Sequence, residues 1–495
     1  MLVVILLLLG APFGAALVSL RAPARVTQAV TAVTGVGCFG LVLALVPAAS
    51  RNDLAYLSYL RIDAVSVVFL LATSFLYAAV AVYSIGYLAR SRDADPGFAR
   101  YSRRLYAGLN LFAWTMLAAP MMSNLALLWI AVEVTTVISA LLVAIEDTDG
   151  AAEAAWKYIL IASAGLGLAL LATIFAYYAG AQVLGAHYDL SFGPLLQAGG
   201  RLPHTPVRLA FALAVLGFGT KMGLVPMHTW LPDAHSEAPT PVSALLSGSL
   251  LAVSFYAILR YYQVAVAALG PRFPRDVLLA FGVASLLLAA LYLFDQRDVK
   301  RLLAYSSVEH MGILAIGVSF GAPIALAGVL LHVLAHAAAK GNAFMGAGVL
   351  VRKFGGKRIS AIGGGLDLLP WSGPLFGIAV LALCAMPPFG IFRSEFEIVR
   401  GGLAASSNAA AAVLIVLVTV AFLGLSITVN RMLLAPRAGG QAAGGAAALT
   451  RGEPSTWMVV PVVAGVAALL VLGVHPPAEL TGLLARAVHQ LGVAA

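Results

Sequence analysis

Cysteine and charge are both scarce in this chain. Of its 495 residues only two are cysteine, Cys38 and Cys384, and they lie in separate apolar runs. Two thiols cannot hold an iron-sulfur cluster, and no zinc-ribbon spacing is present. A redox centre within the chain is therefore not expected, and neither a cofactor nor a resident metal is assigned to it. A phosphate-cradling loop with its lysine is also missing, as is a glycine fingerprint between a strand and a helix. The glycine run at 363–365 sits beside basic residues in a connection between apolar segments, so nucleotide hydrolysis is not expected either. Charged residues make up 10% of the chain, against about 25% in an ordinary soluble domain, which excludes a soluble globular protein.

What fills the space is apolar. Hydrophobic residues account for 61% of the sequence, and the mean hydropathy is +0.96. Apolar runs long enough to cross a bilayer, separated by polar breaks, predict an all-α polytopic membrane protein with about 14 transmembrane helices. They lie near 2–20, 26–48, 62–88, 105–122, 124–144, 156–180, 208–227, 240–262, 276–294, 302–320, 323–350, 373–399, 408–433 and 456–474. The opening run has no basic stretch before it and is followed by Arg21 and Arg25, so it reads as a first span rather than a cleaved signal. With the N-terminus outside, eighteen Lys and Arg fall on the inner side against about ten on the outer, which predicts both termini outside, in a cell (inner) membrane. The net charge of +9 belongs to these loops, and no nucleic-acid partner is expected. The Gly/Ala-rich stretch 435–455 reads as a flexible inner loop.

Ionisable residues inside the spans are the informative exceptions. Lys221 stands about thirteen residues, roughly 20 Å, into the seventh span, too deep for its stem to reach an interface. An unpaired charge at that depth costs roughly 2.5 kcal/mol or more. Glu133 lies mid-span in the fifth run, Glu309 and His310 in the tenth, His332, His336 and Lys340 in the eleventh, and Glu395 in the twelfth. One buried carboxylate is most simply read as a satisfied polar group; a series of acids and bases reads as a proton relay. The i, i+4, i+8 spacing of His332, His336 and Lys340 puts all three on one helix face, which should point into the bundle. The same histidine spacing suits a metal, but the cation next on that face disfavours one. A second group, His228, Asp233, His235 and Glu237, falls among Pro226, Pro232, Pro239 and Pro241, and reads as an irregular break or a proton entry. Prolines after Lys221 and at Pro387 and Pro388 predict interrupted helices in spans seven and twelve. Paired breaks of this kind point to inverted repeats.

These residues carry a resemblance. TKMGLVPMHTWLPDAHSEAPTPVSALLSG, RDVKRLLAYSSVEHMG and HVLAHAAAKGNAF resemble the antiporter-like membrane subunits shared by respiratory complex I, Mrp-type antiporters and membrane-bound [NiFe] hydrogenases, over about residues 60–435. Within that family the EHMG and PPFGIFRSEF stretches are most similar to the F component of hydrogenase-4 and formate-hydrogenlyase complexes. The resemblance implies helices 1–3 in 1–104, two inverted five-helix repeats in 105–262 and 276–433, and a last helix and tail in 456–495. It further implies that Glu133 pairs with Lys221 and modulates its proton affinity, and that His310, Lys340 and Glu395 continue the path. One position departs from the pattern. Many complex I members carry a lysine in span eight where this chain has Ala252, with Ser247 where others have histidine, so Ser247 and Ser249 become candidate bridges.

The expected function is proton, or also sodium, translocation by a non-catalytic subunit of a redox-driven membrane complex, with Glu133, Lys221, His228, His310, His332, His336, Lys340 and Glu395 as the path. Expected partners are other membrane subunits, a peripheral redox arm or other energising subunit, and lipid. Two alternatives stand beside it: a subunit of an Mrp-like antiporter or inorganic-carbon transporter, and an inactive anchor, for which Ala252 is the best support.

Overall fold

The computed structural model describes residues 2–57, 59–89, 96–435 and 450–492, so residues 436–449 of the expected 435–455 loop lie outside the described residues. The chain opens with α1 (Leu2–Arg21) and α2 (Ala24–Ala49), then a small antiparallel ribbon of β1 (Leu54–Leu57) and β2 (Leu60–Ile62). Next come α3 (Ala64–Tyr87), α4 (Pro96–Ala118), α5 (Leu125–Val143), α6 (Asp149–Leu184), the short α7 (Phe192–Ala198) and α8 (His204–Met222). After a break, α9 (Trp230–Glu237) and α10 (Thr240–Leu245) lead into α11 (Leu251–Leu269), followed by α12 (Arg272–Tyr292), α13 (Val299–Phe320) and α14 (Pro323–Phe354). The chain continues through α15 (Gly365–Leu368), α16 (Ser372–Leu383), α17 (Gly390–Ala404), α18 (Asn408–Leu434), α19 (Thr456–Val474) and α20 (Ala478–Leu491).

Eleven segments among the described residues are long and apolar enough to cross a membrane. The other three expected spans fall on α4, α8 and the α16–α17 pair, which carry more charge or are interrupted. Burial separates two classes of helix. The most apolar stretches of Thr240–Leu269 and Val299–Phe320 are buried along their whole length, whereas only 33% of those in α1, α2 and α12 is buried. Lipid-facing helices can hide only one side. The enclosed ones, with α3 and α14, are therefore where polar groups can be kept without exposure to hydrocarbon.

Helix starts follow from side-chain caps. Asn124 accepts from the Ala126 and Leu127 amides, Thr148 from Ala151, and Asp298 from Lys300 and Arg301, meeting donors that a helix start leaves unpaired. Small residues set the tightest crossings. A Cβ on Gly217 would meet the backbone of α6 at Ala169, and one on Gly282 would lie 2.9 Å from Gly312 O of α13. Such approaches replace the hydrophobic drive that is missing between helices in lipid.

One end of the bundle is pinned by polar groups. Arg260 of α11, 1% exposed, donates to Asp63 Oδ1 at 2.6 Å, Ser66 Oγ at 3.1 Å, Tyr256 Oη at 2.9 Å and Gln263 Oε1 at 2.9 Å. Asp63 also caps α3. Burial alone would raise its carboxyl, but the adjacent Arg260 guanidinium and the Ser66 amide hold it below the usual range. The amphipathic α20 closes this end: Arg486 and Gln490 both donate to Asp53, and Gln263 donates to Gln490 O at 2.8 Å.

Candidate functional site: a buried polar line

Both expected helix interruptions occur. α8 stops at Gly223, whose φ of 87° a glycine adopts without strain, and the chain then turns through Leu224–Thr229. The freed backbone groups find partners: Trp230 Nε1 donates to Thr220 O at 2.8 Å, Leu224 N to Gly219 O at 2.8 Å, and Val225 N to Ser285 Oγ at 3.0 Å. The second interruption separates α16 from α17 at residues 384–389. Gly473 of α19 packs so closely there that a Cβ would run into Pro388 O.

Lys221 is completely buried in the last turn of α8. Its Nζ donates to Thr136 Oγ1 at 2.7 Å and to Tyr158 Oη at 2.5 Å, and Tyr158 in turn meets Ser139 Oγ at 2.7 Å. Glu133 is not within ion-pair distance of Lys221. It is only partly buried on α5, and its Oε2 has no hydrogen-bond partner among the described residues. Hydroxyls of α5 and α6 therefore stand directly around the ammonium, one helical turn beyond the carboxylate.

From Lys221 the line runs through aromatic rings. Tyr158 packs on Trp230 with centroids 4.5 Å apart, and Trp230 lies 6.1 Å from His235. His235 is fully buried, with Nδ1 held 2.7 Å from Leu231 O and Nε2 without a hydrogen-bond partner among the described residues. The sequence placed it in the proline-rich break but outside the expected path. His228 lies apart from the other histidines, its ring 6.5 Å from Tyr305, which helps line a cavity of about 570 Å³ with Asp295, Asp298 and Arg301.

At span eight the helix is not regular: residues Leu246–Leu250 form a π-turn between α10 and α11. A π-turn widens the helix and frees backbone positions, and such turns are frequent at functional sites. It carries both serines. Ser247 Oγ lies 2.7 Å from Ser307 Oγ of α13, and Ser307 donates to Leu303 O at 3.1 Å. Leu303 O also accepts from Lys340 Nζ at 3.0 Å. Ser249 turns the other way, to Thr73 Oγ1 of α3 at 2.8 Å. Of the two candidate bridges, only Ser247 is joined to Lys340.

Three helices meet at the far end of the line. His332, His336 and Lys340 are all fully buried, as is His310. His310 Nδ1 lies 3.1 Å from His332 Nε2, and the His310 and His336 rings are 5.2 Å apart. His332 Nδ1 lies 2.9 Å from Ser394 Oγ, whose hydroxyl donates to Ile391 O. With the Ser394 hydroxyl donated to Ile391 O, His332 donates from Nδ1 and keeps the Nε2 lone pair for His310. Glu395, 8% exposed, stands with its Oε1 4.0 Å from His310 Nδ1. Both ring nitrogens of His336, His310 Nε2 and Glu395 Oε1 have no hydrogen-bond partner among the described residues. Buried polar atoms of this kind are ordinarily met by internal water. Ser394 was missed by sequence reasoning; its only signal is adjacency to Glu395.

Chemically the arrangement, among the described residues, is a set of buried proton donors and acceptors. Residues 122–423 match the family model described as NADH:quinone oxidoreductase/Mrp antiporter, TM, and residues 52–102 that of NADH-Ubiquinone oxidoreductase (complex I), chain 5 N-terminus. The chain is 35% identical to the hydrogenase-4 component F homolog of Methylacidiphilum infernorum over 73% of its own length and 76% of the relative's. It is 30% identical to hydrogenase-4 component B of Escherichia coli over 68% of its length, and spans only 50% of that relative. Its fold matches a chain in the structure of the Mrp complex from Dietzia sp. DQ12-45-1b, with a TM-score of 0.85 at 20% identity, covering 100% of this chain and 98% of that one. With the membrane-spanning bundle, the two helix breaks and the buried line in place, the chain belongs to the family of antiporter-like membrane subunits shared by NADH:quinone oxidoreductases, Mrp antiporters and hydrogenase-4 complexes.

Proposed function

We infer that this chain moves protons through the membrane as one subunit of a larger, redox-energised complex of the hydrogenase-4/formate-hydrogenlyase or complex I type. The observation that carries the reading is the buried convergence of Ser307, itself joined to Ser247, and Lys340 on the Leu303 carbonyl, next to the buried His336, His310, His332, Ser394 and Glu395 cluster. Lys221 begins the line, and a change in charge at Glu133 alters how tightly it holds its proton. Protons then pass by His235 and the π-turn to Lys340 and leave near Glu395. Glu133, half-open on the bundle's flank, is the natural point for a neighbouring membrane subunit to act. Fourteen crossings, two inverted repeats around the two breaks, and both termini on the outer face of the cell membrane complete the reading. A peripheral redox arm supplies the energy.

Ala252 favours one second reading, a non-conducting anchor, because no titratable side chain stands at that place in span eight. Proton uptake in vesicles carrying the intact complex separates the two. Lys221→Ala and Glu133→Ala should each abolish uptake at normal assembly; uptake at the wild-type rate in both would leave the anchor.

A further inference from the structure

We propose that His310, His332 and Glu395 form a binding site for one divalent transition-metal ion of the zinc class. Their ligand atoms, contributed by α13, α14 and α17, all lie within 4.8 Å of one another. His310 Nδ1 stands 3.1 Å from His332 Nε2 and 4.0 Å from Glu395 Oε1. Ligand atoms around a tetrahedral Zn²⁺ lie about 3.3 Å apart, given metal–nitrogen bonds of about 2.0–2.1 Å, so small rotations close the site.

Three further features mark this group out from an ordinary polar cluster. His332 holds its other ring nitrogen on Ser394, the support that orients a metal-bound imidazole. Glu395 Oε1, the oxygen facing His310, is buried without a hydrogen-bond partner among the described residues, as is each nitrogen of the adjacent His336, which stays outside the three-ligand group. The cation that argued against a metal on the α14 face makes its hydrogen bond away from the ligand atoms. Lys340 Nζ is bonded to Leu303 O, seven residues and about 10 Å along α13 from His310. The grouping thus differs from the i, i+4 histidine pair of the sequence: a carboxylate from a third helix replaces His336 and supplies negative charge.

Two imidazoles and a carboxylate suit Zn²⁺, Co²⁺ or Ni²⁺ over Mg²⁺ or Ca²⁺. Binding needs no net loss of protons from the rings: the His310 Nδ1 proton moves to its unpartnered Nε2, His332 keeps Nδ1–H on Ser394, and Glu395 binds as the carboxylate. An ion here occupies the lone pairs that would otherwise pass protons. That consequence, inhibition of proton flow, rests on the function proposed above; the site itself does not.

The test titrates the purified, chelator-stripped intact complex with Co²⁺ and then Zn²⁺. One Co²⁺ per copy of this chain should bind with a visible ligand-field band that Zn²⁺ abolishes. Glu395→Gln and His332→Gln should each weaken Co²⁺ at least tenfold, while His187→Gln, in an exposed connection, should leave it unchanged. No saturable band, or a band undiminished in both variants, overturns the proposal. Should the variants fail to assemble, X-ray absorption of the Zn²⁺-loaded wild type decides. Two imidazoles with oxygen support the site; a shell with sulfur or without imidazole overturns it. Proton uptake is then read with and without Zn²⁺. Co²⁺ binding with uptake unaffected by saturating Zn²⁺ upholds the site and refutes the relay.

Discussion

Removing a single hydroxyl from the middle of the line tests the relay with little disturbance to the fold. Ser307 is fully buried on α13, where its Oγ meets Ser247 Oγ at 2.7 Å and donates to Leu303 O at 3.1 Å, the carbonyl that also holds Lys340. Ser307→Ala deletes one atom and leaves Ser247 without that partner. The stability cost is that of one buried unpaired hydroxyl, roughly 1–3 kcal/mol, modest for a bundle of this size. Its kinetic effect is larger if protons pass this way. Losing one hydrogen-bonded step worth about 1.4 kcal/mol at the barrier slows transfer about tenfold. Proton uptake by vesicles of the assembled complex should therefore fall about tenfold in Ser307→Ala and return in Ser307→Thr, which restores the hydroxyl. Wild-type uptake in Ser307→Ala would refute the route through the π-turn.

Three other outcomes follow from the same geometry. Ala252→Lys should slow proton uptake, since a second cation in the enclosed bundle opposes protonation of the existing lysines; an inactive wild type rescued by this change would contradict the water- and hydroxyl-bridged route. Asp63→Asn should lower stability by about 3–5 kcal/mol, because Arg260 stays buried without its anion. The Asp63 carboxyl is held below its ordinary value, so its contribution is complete above about pH 3.9 and fades only as pH falls toward the lowered value. Thermal unfolding of the detergent-solubilised wild type should show that acid loss, and Asp63→Asn should lack it. Gly282→Ala should lower the unfolding temperature, at a cost of about 1–3 kcal/mol, because its Cβ would lie 2.8 Å from Ile316 Cγ1 and 2.9 Å from Gly312 O.

Much of this architecture was legible in the residues, and what escaped has physical causes. Apolar run length marked the membrane helices, and prolines marked both breaks, because those signals are local. The spacing of His332, His336 and Lys340 placed them on one helix face. It could not say what stands opposite: His310 and Ser394 come from helices distant in sequence. Lys221 was conspicuous, but its direct partners are Thr136 and Tyr158, residues too ordinary to single out, while the conspicuous Glu133 stands farther off. The π-turn at Leu246–Leu250 has no proline to announce it. Gly248 in that turn packs against both α3 and α14, with a Cβ there 2.5 Å from Leu76 Cδ2 and 3.2 Å from Ala337 O, contacts that only the folded bundle brings together. The ribbon and α20 carry weak signals of their own and gain order from Asp53, which both reach.

The most direct test of proton translocation replaces Lys340, which shares the Leu303 carbonyl with Ser307 and stands on the helix of His332 and His336. Proton uptake per turnover of the energising reaction should be measured in vesicles with the intact complex carrying wild-type or Lys340→Met chain. The account predicts assembly as in wild type with uptake per turnover reduced by this subunit's whole share. Unchanged uptake per turnover would contradict it.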